Sequence, residues 1–328
     1  MKFGVLQFFS WTRRVPLETV YERALQRIEI MDEGGYDAVW LAEHHFNTYS
    51  VCPSVTLMAT QVAARTERLR IGTAVTLSAF YHPLRLAEEL ALVDILSGGR
   101  LNWGAGRGFD PTEFRTFGVP VAESSERFRE AVEVVLAAWA KDRLTFDGKY
   151  WHFENVEVLP KPKQRPHPPV WLAATSPESI AKAAEAGYTI LMDPHASHAE
   201  IGRKRALYFD ELRKHRHPAE GREIPVARLI AVAETASEAE SVAREGARWT
   251  VGSYANPGKN PNRGIDLKPQ DDPVERYVRD VIVHGTPEQV ADELQRLREE
   301  IGLDYLMAAP LSHRSFELFT ERVLPRLA

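Results

Sequence analysis

The chain carries one cysteine, Cys52, in 328 residues. That excludes an internal disulfide framework and any multi-cysteine zinc or iron–sulfur centre. It also lacks a positive excess: 41 basic residues stand against 46 acidic ones, net −5, which leaves no electrostatic footprint for nucleic acid. No apolar run reaches the ~18 residues that a membrane helix needs. The opening Met1-Lys2-Phe3-Gly4-Val5-Leu6 runs straight into a strand-like pattern, without the apolar core and cleavage site of a signal peptide. What remains is a chain 44% hydrophobic and long enough to bury a large core. The expectation is a cytoplasmic α/β enzyme, with no membrane and no nucleic-acid partner.

Short apolar runs alternate with amphipathic stretches. Strands are expected at Phe3–Phe8, Asp37–Glu43, Leu69–Leu77, Leu101–Gly104, Val170–Ala173, Tyr188–Met192, Val226–Ala233 and Asp304–Ala308. Between them, helical spacing covers Pro16–Glu33, Ser54–Arg65, Pro83–Ser97, Glu123–Lys141, a helix from Pro177, His198–His215, Ser237–Trp249, Pro287–Glu300 and Ser315–Leu327. Residues 143–160 interrupt the rhythm with an Asp-Gly turn between β-prone runs, which reads as a hairpin excursion. Residues 250–272 crowd Gly252, Pro257, Gly258, Pro261, Gly264 and Pro269 together, which reads as a lid loop. Eight βα units favour a (β/α)8 TIM barrel over an open doubly wound sheet, in one domain spanning 1–328.

In such a barrel the chemistry lies just after the strands. After the second comes Glu43-His44-His45-Phe46. Adjacent strand residues point to opposite sides, so His44 and His45 do not share one ligand unless the backbone turns. Either is a candidate general acid or base, or the two are a surface pair beside a capping Glu. Gly104-Ala105-Gly106-Arg107-Gly108 follows the fourth strand. It fails the dinucleotide fingerprint, because its third glycine comes one residue early and Asp110-Pro111 follows. Its glycines suit a close approach to a flat ligand, and Arg107 offers a fork for a phosphate. Thr175 and the helix start Ser176-Pro177-Glu178-Ser179 offer hydroxyls and amides to a phosphate, or simply cap a helix. His195-Ala-Ser-His198 has no third ligand at a sensible spacing, and no metal is expected.

These segments resemble the bacterial luciferase-like family of flavin-dependent monooxygenases. The resemblance rests on an ordered set that spans essentially the whole chain: Trp40-Leu-Ala-Glu-His-His-Phe46, Arg70-Ile-Gly-Thr-Ala74, His82-Pro83-Leu-Arg85 with Ala87-Glu88, Asp94-Ile-Leu-Ser-Gly-Gly-Arg100, Gly106-Arg107-Gly108, Glu113-Phe114-Arg-Thr-Phe117-Gly118 and Gly285-Thr-Pro-Glu-Gln-Val290. It implies a barrel that binds FMN in its reduced form, supplied by a separate NAD(P)H:flavin reductase. The flavin would react with O2 to a C4a-peroxyflavin that oxygenates a small organic, apolar substrate. It implies His44 as the catalytic residue, assisting proton transfer. Arg107 matches the family's phosphate contact and Ser176/Ser179 its phosphate loop. Ala74, Thr76, Gly106 and Thr175 are further cofactor-binding candidates, with a cis non-proline peptide placed at Ala74–Val75.

One departure stands out. The luciferase α subunit has a reactive Cys immediately before its Arg-Gly pair, and here that position is Gly106. Light emission is therefore not expected. Phe8, Phe46, Phe114 and Trp249, with Phe80, are candidate pocket walls or ordinary core. A homodimer is expected, through Pro16–Glu33 and Ser54–Arg65. Two alternatives stay open: an F420-dependent hydride-transfer oxidoreductase on the same barrel, a relative that generally lacks the Glu-His-His-Phe run, and a catalytically idle flavin-binding subunit.

Overall fold

Strand-forming and helix-forming segments alternate along the chain because β-branched and aromatic runs are separated by stretches with one apolar stripe. The computed structural model describes residues 1–11, 14–253 and 272–327. In chain order the elements are β1 (Lys2–Gln7), α1 (Leu17–Glu33), β2 (Ala38–Leu41), α2 (Val55–Arg65), β3 (Arg70–Thr73), β4 (Thr76–Leu77), α3 (Pro83–Leu96), β5 (Leu101–Gly106), α4 (Pro111–Phe117), α5 (Ser124–Ala140), β6 (Leu144–Asp147), β7 (His152–Val156), β8 (Val170–Ala173), α6 (Pro177–Glu185), β9 (Thr189–Leu191), α7 (His198–Lys214), β10 (Pro225–Val232), α8 (Ala236–Ser253), α9 (Pro273–Asp280), β11 (Val283–Gly285), α10 (Pro287–Ile301), β12 (Tyr305–Pro310), α11 (His313–Leu318) and α12 (Leu324–Leu327). The chain is α/β, with mostly parallel strands. It divides into two compact units, Gln7–Ala173 and Met1–Leu6 with Ala174–Ala328.

In the unit Gln7–Ala173, β2 pairs with β3, β3 with β5, and β5 with both β4 and β8, all parallel. Its core is built on tryptophans. Trp40 and Trp103 are fully buried, and Trp40 meets Trp171 edge-on at 5.3 Å between centroids. A buried indole needs an acceptor for its N–H. Trp103 Nε1 donates to Thr76 Oγ1 at 2.9 Å, and Trp139 Nε1 to the Ala87 carbonyl at 3.0 Å. Gly72 lies under the Trp40 indole, where an added Cβ would fall 2.3 Å from Cε3. The excursion at 143–160 is an antiparallel hairpin of β6 and β7. Its turn is clamped by Glu130 of α5, whose carboxylate accepts the backbone N–H groups of Lys149, Tyr150 and Trp151 at 2.9, 2.9 and 2.7 Å.

In the other unit, the parallel order is β11-β10-β12-β1, and Met192, just after β9, bridges to Val226 of β10. All eight residues of β10 are buried, Arg228 included. Its guanidinium is satisfied by carbonyls, donating to Ala196 at 2.7 Å and Asp193 at 3.1 Å, so it pins the segment after β9. Burial lowers its pKa to about 10.

Several expectations need correction. Leu69–Leu77 is not one strand: it breaks between β3 and β4 at a cis Ala74–Val75 peptide. Between the expected strand Leu101–Gly104 and the expected helix Glu123–Lys141 the structure adds α4, started by the Asp110 cap and Pro111. An added parallel strand, β11, and the helix α9 follow residue 272. Three residues, Val283-His284-Gly285, are too few for alternation to register. Of the expected lid at 250–272, residues 250–253 continue α8 and 254–271 lie outside the described residues. Among the described residues, no helix is long and apolar enough to cross a membrane.

Candidate active site

The loop after β2 turns sharply, and its own side chains hold it. Phe46 takes a left-handed backbone conformation, φ 57°. Asn47 follows, with Oδ1 accepting the Tyr49 N–H at 3.2 Å and Nδ2 donating to the His45 carbonyl at 2.8 Å. Such side-chain-to-backbone bonds are why Asn is favoured in turns. The turn sends the two histidines to different surroundings.

His44 is 7% exposed. Its N–H donates to the Cys52 carbonyl at 3.1 Å. The ring is enclosed by aromatics: Tyr49 at 4.4 Å between centroids, Phe8 stacked at 6.3 Å and 8°, and Phe109 edge-on at 6.0 Å. Nδ1 lies 2.6 Å from the Tyr49 hydroxyl and 3.7 Å from Glu113 Oε1. Glu113 is wholly buried; Oε1 accepts the His45 N–H at 3.0 Å, and Oε2 has no hydrogen-bond partner.

His45 belongs to a second cluster. Its Nε2 lies 3.2 Å from Glu43 Oε1, and its ring meets Phe117 edge-on at 4.8 Å. Glu43 Oε2 accepts from the Tyr81 hydroxyl at 3.0 Å. Glu43 is therefore no surface cap but a buried clamp. Burial raises its pKa, against the pull of His45 and Tyr81. Burial and the Glu43 charge raise those of Tyr81 and Cys52, the thiol to about 12. A cavity of about 390 Å3 opens against this loop, lined by Trp11, Tyr21, His44, His45, Phe46 and Asn47.

Arg107, just after β5, is half-buried, with Nη1 at 3.5 and 3.4 Å from the hydroxyls of Ser124 and Ser125 at the start of α5. Among the described residues it pairs with no carboxylate. Gly106 lies against Val75: an added Cβ would fall 2.2 Å from Val75 Cγ2. Ala74 and Val75 are half-buried, whereas Thr76 is buried with its hydroxyl committed to Trp103. Phe114 is 2% exposed and packs on Phe80 at 4.9 Å, while Phe46 is 57% exposed. In the other unit, Ser176 and Ser179 form a reciprocal capping box on α6, with Thr175 exposed beside it, and Trp249 is half-buried in α8. Among the described residues, no cluster of three or more His, Cys, Asp or Glu is placed to hold a metal. Sequence reasoning missed Tyr49, Glu113 and the Ser124/Ser125 pair. The signal for the last was a serine pair opening a long helix; Glu113 opens the motif Glu113–Gly118, but its approach to His44, like that of Tyr49, comes only through folding.

The model of the luciferase-like monooxygenase family matches residues 1–305. The chain belongs to that family. A monooxygenase from Streptomyces bottropensis, RslO1, is similar over 100% of both chains, at 29% identity and a TM-score of 0.88. The oxygenase component of flavin-dependent trigonelline monooxygenase from Acinetobacter baylyi is 31% identical over 69% of this chain and 63% of its own length. The uncharacterized protein y4wF of Sinorhizobium fredii is 40% identical over 52% of this chain. The chain's match spans about half the length of that last relative.

Proposed function

We propose that this chain is the oxygenase component of an FMN-dependent monooxygenase, taking reduced FMN from a separate NAD(P)H:flavin reductase and using O2 to oxygenate a small apolar substrate. The observation that carries this reading is His44, a buried imidazole walled by Phe8, Tyr49 and Phe109 after β2. Three features fit the cofactor. Among the described residues Arg107 has no carboxylate partner, and it stands over the start of a 17-residue helix, which suits a phosphate. The half-buried Ala74–Val75 edge gives an apolar face beside the glycine at 106. Glu113 keeps a buried oxygen unfilled beside His44.

Reduced flavin, when bound, supplies the electrons and activates O2. The protein's residues supply the rest. Arg107 binds the phosphate with charge-assisted bonds. Phe8 and Phe109 keep water from the imidazole, which strengthens each polar interaction there. His44 holds or moves one proton at a ring nitrogen. The cavity that Phe46 lines beside His44 is the proposed seat of the substrate. Ala74, Thr76, Gly106, Thr175, Ser176 and Ser179 are proposed cofactor contacts, and Phe8, Phe46, Phe114 and Trp249 proposed substrate contacts. The (β/α)8 barrel, a homodimer and a cytoplasmic location complete the proposal.

The test is an anaerobic titration with reduced FMN and, separately, with F420. FMN should bind, and Arg107→Ala should weaken it by roughly 10- to 100-fold, the worth of a charged hydrogen bond. Binding of F420 alone would favour hydride transfer and overturn the assignment.

A further inference from the structure

Tyr49 lies in direct contact with His44, and its hydroxyl comes to 2.6 Å from Nδ1 with both side chains buried. The tyrosine is held from its backbone. Its N–H donates to Asn47 Oδ1, and its carbonyl accepts from the Ser10 hydroxyl at 2.8 Å. The direction of the hydroxyl–imidazole bond follows from the chemistry of the two groups. A phenol is a much stronger proton donor than a neutral imidazole N–H, and a bare imidazole nitrogen is a much stronger acceptor than a phenol oxygen. The favoured arrangement is O–H···Nδ1.

Glu113 does not contest that bond. Its Oε1 is 3.7 Å from Nδ1, beyond hydrogen-bond reach, and is taken by the His45 N–H. Phe8 and Phe109 bring no polar atoms to the ring. Among the described residues, titratable groups placed against the imidazole include Tyr49 and Glu113, with the His45–Glu43 pair next along the chain.

We infer that Tyr49 is a positioning residue: its hydroxyl donates to Nδ1 of His44 and fixes the neutral ring as the Nε2–H tautomer. His44 then offers a proton, not a lone pair, from Nε2. This deepens the proposed function and rests on His44 being catalytic there. Which ring nitrogen carries the proton is set by the bond that the other one makes.

The experiment is nitrogen-15 NMR of the flavin-free full chain labelled at histidine, above the ring's titration, with the His44 signals assigned by their loss in His44→Gln. The wild type should show a bare acceptor nitrogen at Nδ1 and a protonated Nε2. Tyr49→Phe, which keeps the ring contact, should spread the proton over both nitrogens. With reduced FMN and O2, that variant should lose roughly tenfold in kcat, one hydrogen bond's worth, with KM little changed. A proton on Nδ1 in the wild type, or unchanged shifts in Tyr49→Phe, would overturn the inference. If Tyr49→Phe does not fold, the wild-type spectrum still decides. Undiminished turnover in His44→Ala would instead overturn the catalytic reading and leave the tautomer result standing.

Discussion

Replacing Gly106 by alanine tests the packing beside Arg107. The new Cβ would stand 2.2 Å from Val75 Cγ2, 3.2 Å from Val75 Cβ and 3.6 Å from Ala173 Cβ. Ordinary contact begins near 3.4 Å, so the valine methyl must retreat by about 1.2 Å. Valine is stiff at χ1, and relief must come from rotating its side chain or shifting the backbone. Overpacking of this kind costs about 1–3 kcal/mol. Urea unfolding followed by two probes measures it, since a chain with two compact units need not unfold in one step. Gly106→Ala should lower the midpoint, and adding Val75→Ala should restore most of the loss, with a coupling of about 0.5–3 kcal/mol between the sites. An unchanged midpoint, or no recovery in the double variant, would refute the reasoning. A cysteine at 106 would carry its Cβ into the same Val75 methyl.

Other predictions concern titration. Burial and the Glu43 charge raise the Cys52 pKa from an ordinary 9 to about 12. The folded state therefore holds that proton more tightly than the unfolded state, and the stability it confers fades as pH rises from about 9 towards 12. A thiol reagent at pH 8 should leave native protein unmodified and label one thiol in denaturant; rapid native labelling would contradict the burial. Burial, then the Arg228 charge, lowers His198 from 6.5 to about 3. Its contribution is complete above 6.5 and is lost as pH falls towards 3. His198→Gln should flatten the acid limb of the unfolding midpoint against pH, and an equally steep limb would count against a neutral buried ring.

The periodic elements were legible because burial imposes them. The stripe Ala24, Leu25, Ile28 and Met31 in α1 is one face, and Pro83 opens α3 where the sequence placed it. The hairpin at 143–160 followed from Asp147-Gly148 between β-prone runs. The short β11 and α9 were not legible, because three or eight residues give too little periodicity to stand out from loops. Arg228 lies inside the expected strand Val226–Ala233, and its full burial in β10 was not legible because its fork finds backbone carbonyls only in the fold. For the candidate site, sequence motifs pointed to His44 and Arg107. The Tyr49 hydroxyl and the Glu113 carboxylate come to His44 through the Asn47 turn and the short α4. Those are tertiary outcomes that neither spacing nor propensity encodes.

The measurement that bears most directly on the central claim is single-turnover oxygenation. Photoreduced FMN, bound to the chain without air, is mixed with 18O2 and a panel of small apolar substrates. One oxygen atom should enter a substrate and the other leave as water. His44→Ala should depress product formation by about 10²–10⁴-fold, the usual worth of a positioned acid or base. Equal turnover in wild type and His44→Ala would contradict the account.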